Sequence, residues 1–360
     1  MDLNHSSYTT INKIPITNIW LLILYASRLY KEIDKQQRIA LEKNPEKIID
    51  LVAKIYFKEV NKRFRSSLSK GYKPCKQKLS RIRGKIDTLV TARKLLLEKG
   101  KVQCLYNDLT SNIPKNQYIH AAAHVLLNQL TENELIYQCK KIINRFNEFK
   151  IEQSKNYNYK EDYFNRSNRQ DILLISLANL IFSLSIPTEL SGNYIFKKID
   201  KTDAWLRNLF EKAIVGFCHV NFDSSKYTIL SNKKFKWPCT QSTANIEKFM
   251  PDMITDLIIE NTKKNYRLIV DTKCTSIFSK KSHSFKTSHL YQLYAYVRSQ
   301  EQINDPLSLS ASGMLLYPTI NKSINEQVTI QEHKLIFCTI DLTQNANSIK
   351  KNLFSLFSNL

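Results

Sequence analysis

Met250–Cys274, MPDMITDLIIENTKKNYRLIVDTKC, is the stretch that decides how this chain is read. Two apolar runs, Ile254–Glu260 and Tyr266–Lys273, are rich in Ile, Leu and Val and flank a polar Asn, Thr and Lys turn, which is a hairpin pattern. With Thr262–Asn265 as a four-residue loop, Asn261 pairs with Tyr266. Counting back from that pair sets Asp256 opposite Asp271, and opposite residues share a face. Side chains alternate along a strand, so Lys273 joins Asp271 on that face and Thr272 falls on the other, where a threonine is expected to cost the chemistry little. Two carboxylates this close repel each other unless one is protonated or a cation lies between them. Mg²⁺ is commonly held by one or two carboxylates plus substrate phosphate. A lysine beside such a pair stabilises charge developing on a phosphate. The combination points to phosphodiester hydrolysis.

An acidic-x-Lys triplet is weak evidence by itself, since a strand can simply end in polar residues. Glu148-Phe-Lys150 and Glu332-His-Lys334 have the same spacing, but neither follows an apolar strand with a facing acid. Asp252, four residues before Asp256 and just ahead of the first run, is the alternative metal-holding acid, and the facing-pair geometry favours Asp256.

The composition agrees with a polyanionic partner. Lys and Arg number 54 against 32 Asp and Glu, a formal charge of +22 over 360 residues. Lys, Asn and Ile are used heavily throughout, so part of this charge is compositional. The basic residues nonetheless cluster, at Lys76, Lys78, Arg81, Arg83, Lys85, Arg93 and Lys94, and again at Lys280, Lys281 and Lys286 just after the acidic-x-Lys strand. The seven cysteines contain no Cys-x-x-Cys pair, which excludes an evident zinc framework. The polar start, MDLNHSSYTT, does not read as a signal peptide, and the longest apolar runs are too short to span a bilayer. A cytoplasmic protein with no membrane partner is expected. No Gly-x₄-Gly-Lys-Ser/Thr occurs, so any nucleotide hydrolysis must come from another chain.

Along the chain, Ile14–Tyr30 and Asn44–Arg65 read as helices, and Lys70–Cys104 as strands and turns punctuated by Gly71, Gly84 and Gly100. Asn116–Lys150 reads as a helix broken near Thr131–Asn133, Gln153–Arg169 as a loop, Asp171–Ser185 as a helix and Pro187–Asn193 as a linker. A helix over Asp203–His219, the hairpin, a helix over Ser288–Ser299, strands at Gly313–Tyr317 and Lys334–Asp341 and a C-terminal helix complete the pattern. This predicts a mixed fold: a helix-rich N-terminal domain (1–190) with a β-rich excursion, then an α/β domain (191–360). His120 and His124 have a metal-ligand spacing but lack a third ligand, and are read as ordinary helix histidines. Tyr291 and Tyr294 are expected to pack in the core.

The Asp256, Asp271 and Lys273 set resembles the PD-(D/E)xK nuclease pattern. Further blocks resemble McrC, the nuclease subunit of McrBC modification-dependent restriction systems: Ile14–Leu29 (IPITNIWLLILYASRL), Ile82–Ile86 (IRGKI) with Asp87, Tyr106–Ala121 (YNDLTSNIPKNQYIHA), Leu209–Phe217 (LFEKAIVGF) and Leu290–Tyr296 (LYQLYAY), in the family's order. The resemblance implies a restriction-endonuclease-like second domain that cuts double-stranded, modified DNA with Mg²⁺, or Mn²⁺ in its place, in antiviral defence. It implies a partner McrB-like AAA+ GTPase ring, docked by the N-terminal domain and stimulated by it. It carries catalytic roles to Asp256, Asp271 and Lys273, a metal-assisting role to Glu211 beside Asp256 and Asp271, and a site role to Gln292. The family commonly has Asp-Ala-Lys where this chain has Asp-Thr-Lys. The excursion, through Arg81, Arg83 and Lys85, is expected to reach the ring. The alternatives are a stand-alone repair or recombination nuclease, which needs no long docking domain, and a catalytically silent DNA-binding activator, which needs no intact acidic set.

Overall fold

The computed structural model describes residues 10–11, 14–27, 29–44, 47–158, 171–190, 199–243, 245–279, 284–321 and 323–358. The order is α1 (Ile16–Ala26), α2 (Ile48–Ser66), β1 (Gly71–Leu79), β2 (Lys85–Ile86), β3 (Val102–Thr110), α3 (Pro114–Leu127), α4 (Asn133–Glu148), α5 (Asp171–Leu190) and α6 (Ile199–Asn221). Then follow β4 (Thr228–Phe235), β5 (Met253–Asn261), β6 (Tyr266–Thr272), α7 (Thr287–Arg298), β7 (Ser312–Thr319), β8 (Asn325–Ile330), β9 (His333–Asp341) and α8 (Ala346–Ser358). Short helices at Leu29–Glu32, Lys35–Lys43 and Thr88–Arg93 fill the connections. The fold is mixed α/β with a helical N-terminal region.

The chain forms two compact units, one of residues 49–182 and one joining 1–48 to 183–360. The division expected at 190/191 is therefore drawn differently, because the first 48 residues belong with the C-terminal half. The reason lies in α1. It is apolar nearly all round, so it must be covered on several sides. It packs on α6, where Gly216 allows the backbones to touch: a Cβ there would lie 1.9 Å from the Tyr25 carbonyl oxygen. Tyr25 also meets Phe217 edge-on. Asn18 on α1 donates from Nδ2 to the carbonyls of Leu342 and Gln344, at 2.7 and 2.8 Å, just after β9. A buried Glu42 accepts from the Tyr30 hydroxyl and pairs with Lys350 on α8.

The large unit is built on a six-stranded sheet, in the order β8-β9-β7-β6-β5-β4. β6 and β9 run parallel to β7, and the other pairs are antiparallel. The middle strands carry unbroken apolar runs because both faces are covered: Leu257–Ile259 on β5 and Leu268–Val270 on β6 are all buried. α7 makes the crossover from β6 to β7, and its Leu293 and Val297 lie against Gly313, where a Cβ would come within 2.9 Å of Leu293. Ile258, Ile269, Leu293, Val297, Leu315, Leu335 and Phe337 form one core cluster there. The strands β4 and β8 have no counterpart in the sequence expectation. Both are sheet edges of mainly polar residues, so they lack the apolar run that reveals a buried strand.

In the unit 49–182, β1 and β2 both pair antiparallel with β3. Gly84 sits at φ +71° on the turn into β2, and a Cβ there would lie 2.4 Å from the Leu105 carbonyl oxygen, so the turn requires glycine. Asp87 then caps the Thr88–Arg93 helix by accepting from Val90 N–H at 3.0 Å. Asn116 donates to the carbonyls of Ser69 and Ser111, tying α3 to both ends of the β excursion. Buried Asp171 on α5 pairs with Arg63 at 2.7 Å and Lys115 at 3.8 Å. The helix continues through Leu190, so the expected linker is helical over 187–190, and its remainder lies outside the described residues. The loop expected over Gln153–Arg169 is described only as far as residue 158, and Lys280 and Lys281 also lie outside the described residues.

Candidate active site

The hairpin β5–β6 has the register read from the sequence, running from Asn261 with Tyr266 to Leu257 with Val270. The turn between them is short and tight: Asn265 adopts φ +49°, a left-handed conformation Asn tolerates, and Asn261 Oδ1 accepts from Lys264 N–H at 3.2 Å. The ladder stops at Leu257, one residue before Asp256. On the other side of β5, Ser231 pairs with Leu257 and Lys233 with Thr255, and Asn232 between them takes φ +52°. Regular pairing therefore lapses around Asp256 on both flanks of its strand, which frees this end of the hairpin to build a site.

Asp271 is buried, and Lys273 on the same face brings Nζ to 2.8 Å from its Oδ2. The Lys273 ammonium is thus the charged partner of this buried oxygen. Burial pushes the Asp271 carboxyl up to about 6; the Lys273 ammonium opposes the shift and the charge of Asp256 adds to it. Gln292 on α7 accepts from Lys273 Nζ at 2.9 Å through Oε1 and donates through Nε2 to the Tyr296 hydroxyl at 2.6 Å. The tyrosine thereby fixes which way the amide faces, and the amide fixes the ammonium. Tyr296 escaped the sequence reading, although it lies one helical turn after Gln292, the spacing at which helix side chains meet.

Asp256 is half-buried, and its Oδ2 accepts two hydrogen bonds of 2.7 Å, from the backbone N–H and from the hydroxyl of Thr272. Thr272 was expected to face away from the catalytic pair. It is instead in direct contact with Asp256, because the end of the ladder lets the Asp256 carboxylate swing to the N–H that the adjacent strand leaves unpaired. Glu211 on α6 is half-buried nearby. Burial, then the negative charge of Asp256 and more weakly that of Asp271, holds it above the usual carboxylate range. The three carboxylates do not close tightly: among the described residues, no three His, Cys, Asp or Glu side chains gather closely enough to hold a metal ion. Asp252 is exposed and pairs with Lys234 at 3.2 Å.

His289 on α7 also went unread. Its Nδ1 lies 3.0 Å from the Tyr317 hydroxyl, and burial with the charges of Lys273 and Lys286 pushes its pKa down to about 4. It is neutral at pH 7. Tyr291, expected in the core, is 67% exposed on the outer face of α7, while Tyr294 is half-buried and its hydroxyl bonds Gln331. His120 and His124 face each other, with His120 Nδ1 on the Ile151 carbonyl at 2.9 Å and His124 near Gln153 at 2.8 Å. In the other unit, Arg81 and Lys85 are exposed, and Arg83 is held at the surface over the Tyr106 ring, 2.8 Å from Asp108.

The donor set suits a hard divalent cation. The buried Asp271 and half-buried Asp256 carboxylates supply oxygen donors, and two carboxylates suffice when phosphate and water complete the shell. Among the described residues, no helix is long and apolar enough to cross a membrane.

Over residues 9–318 the chain matches the family described as McrBC 5-methylcytosine restriction system component. It is 25% identical over 352 residues to the type IV methyl-directed restriction enzyme EcoKMcrBC of Escherichia coli K12, covering 96% of this chain and 97% of that protein. Among solved structures it is similar to a chain in the half-complex of the tetradecameric assembly of Thermococcus gammatolerans McrB AAA+ hexamers with bound McrC. The TM-score is 0.46 at 14% identity, over 95% of this chain and 76% of that one. A chain in the cryo-EM structure of the Thermococcus gammatolerans McrBC complex gives a TM-score of 0.34 at 14% identity, over 49% of this chain and 58% of that one. With the family match running over most of its length, the chain belongs to the McrBC 5-methylcytosine restriction system component family.

Proposed function

We propose that this chain is the McrC-like endonuclease subunit of its restriction system, cleaving double-stranded, modified DNA at a PD-(D/E)xK-type site and stimulating a partner McrB-like AAA+ GTPase ring. The observation that carries the reading is the convergence of Asp256, Asp271, Lys273 and Gln292 where the β5–β6 ladder ends, with Lys273 held between Asp271 and Gln292 at 2.8 and 2.9 Å. The unit joining residues 1–48 to 183–360 is assigned the chemistry, and the unit 49–182 the docking. The charge of +22 suits the DNA, and methylated cytosine is the modification that the family description names.

Asp256 and Asp271 would hold Mg²⁺, or Mn²⁺ in its place, with Glu211 adding negative charge. The bound cation supplies Lewis acidity and a water of lowered pKa. Asp271 presents a buried carboxylate paired with the Lys273 ammonium. Its carboxyl, pushed up to about 6, is ionised at pH 7.5 and ready to accept a cation. Lys273, anchored by Gln292, places a positive charge beside the reacting phosphate, where it orients the attacking water and stabilises the developing negative charge. Gln292 keeps that ammonium from swinging to Asp256, and Tyr296 keeps Gln292 from flipping.

The test is cleavage of 5-methylcytosine-containing duplex DNA by the full chain with its cognate ring, GTP and Mg²⁺. Asp256→Ala, Asp271→Ala and Lys273→Ala should each lose roughly 10²–10⁴ in rate while still folding and binding the ring. Glu211→Ala should lose less. Full cleavage by Asp271→Ala would overturn the site. A catalytically silent activator has one observation in its favour, the lack of a three-carboxylate cluster among the described residues. It predicts GTPase stimulation by the wild-type chain with no metal-dependent cut.

A further inference from the structure

We propose that Thr272 is a positioning residue that decides which oxygen of Asp256 is presented to a divalent cation. This rests on the nuclease reading above. The N–H of Lys273 points to β7, donating to the Leu316 carbonyl at 2.9 Å. Its neighbour's N–H, on Thr272, therefore points the other way, toward β5. There the ladder has ended, and the Asp256 side chain replaces the missing backbone acceptor. The Thr272 hydroxyl adds a second bond to the same atom, so both contacts of 2.7 Å fall on Oδ2.

Two donors on one oxygen lock the carboxylate plane and leave Oδ1 as the oxygen free to bind a cation. A carboxylate held this way binds through one oxygen. That suits Mg²⁺, which demands an octahedral shell of single oxygens, better than Ca²⁺, which readily takes carboxylates through both. An alanine at this position keeps only the backbone bond, and the carboxylate regains its rotation. The hydroxyl is thus a device of this chain's Asp-Thr-Lys triplet, acting on the metal through Asp256. Partners that orient metal ligands are worth about 10–100-fold in affinity or activity.

The experiment compares the full-length wild-type chain with Thr272→Val, which keeps the shape and removes the hydroxyl, and Thr272→Ser, which keeps the hydroxyl. Calorimetry with Mn²⁺ should show binding weakened about 10-fold or more in Thr272→Val and restored to within about threefold in Thr272→Ser. Competition should show Ca²⁺ gaining on Mg²⁺ in the valine variant, an effect that a loss of packing alone would not produce. Thr272→Ala carries the same comparison if the valine variant does not fold. Wild-type-like Mn²⁺ affinity in a folded Thr272→Val or Thr272→Ala chain would overturn the proposal. So would a serine variant as impaired as the valine one, or a wild-type chain that takes up no Mn²⁺. Thr272-dependent Mn²⁺ binding without DNA cleavage in the presence of the ring would leave the positioning role standing and remove the nuclease reading.

Discussion

Replacing Asp271 by Asn should stabilise this protein at neutral pH when no divalent cation is present, and by an amount that depends on pH. Burial raises the Asp271 carboxyl from 3.8 to about 6. The folded state therefore holds this proton more tightly than the unfolded state does. Below about pH 3.8 both states are protonated and the group contributes nothing. Between about pH 4 and 6 the unfolded chain has released the proton and the folded chain has not, so stability falls as pH rises. Above about 6 the full cost is in place. At 1.36 kcal/mol per pH unit, a displacement of roughly two units amounts to ~3 kcal/mol. The amide of the Asp271→Asn variant does not titrate, so the variant escapes that loss. Changes in packing and hydrogen bonding add a constant offset, and only the pH-dependent part of the difference is diagnostic. Urea unfolding of both chains in EDTA, from pH 4.5 to 7.5, should show the variant gaining on wild type by about 2 kcal/mol across that range. Adding Mg²⁺ at pH 7.5 should then stabilise the wild-type chain and not the variant, because a ligand of the folded state stabilises in proportion to its binding. A stability difference that is flat with pH, or one that moves against the variant as pH rises, would refute the claim that Asp271 is a strained, buried charge awaiting a cation.

Gly216→Ala should be among the most damaging single-methyl additions in the chain, because its Cβ would sit 1.9 Å from the Tyr25 carbonyl and force α1 off α6. A loss of about 1–3 kcal/mol or more in urea unfolding checks this, and unchanged stability would contradict the close approach. Replacing Arg81, Arg83 and Lys85 together by Ala should reduce stimulation of the cognate ring's GTPase, by the logic of basic groups that stabilise charge in phosphoryl transfer. Undiminished stimulation by a folded triple variant would remove the β excursion from activation and leave the nuclease site untouched.

The register of the hairpin was legible in the residues because its signals are local. Unbroken apolar runs, a polar turn of fixed length and strict alternation leave one way to pair Asn261 with Tyr266, and Asp256, Asp271 and Lys273 follow from that count. The punctuation at Gly84 was legible for the same reason, since a tight turn is made by neighbours in the chain, whereas the Asp87 cap and the short helix it opens went unread. Sequence alternation could not place Thr272, because alternation assumes that the ladder continues. It ends one residue before Asp256, and a side chain then takes the place of a backbone acceptor. The edge strands β4 and β8 stayed hidden because polar residues suffice where one side of a strand faces solvent. The partner of α1 was out of reach as well. Its apolar surface announces that it is buried but not against what, and only the fold brings Gly216 and Leu342, both far along the chain, to meet it. Short-range order wrote the acidic set into the sequence. Long-range packing decided which half of the chain surrounds it, how Lys273 is held and which oxygen of Asp256 stays free.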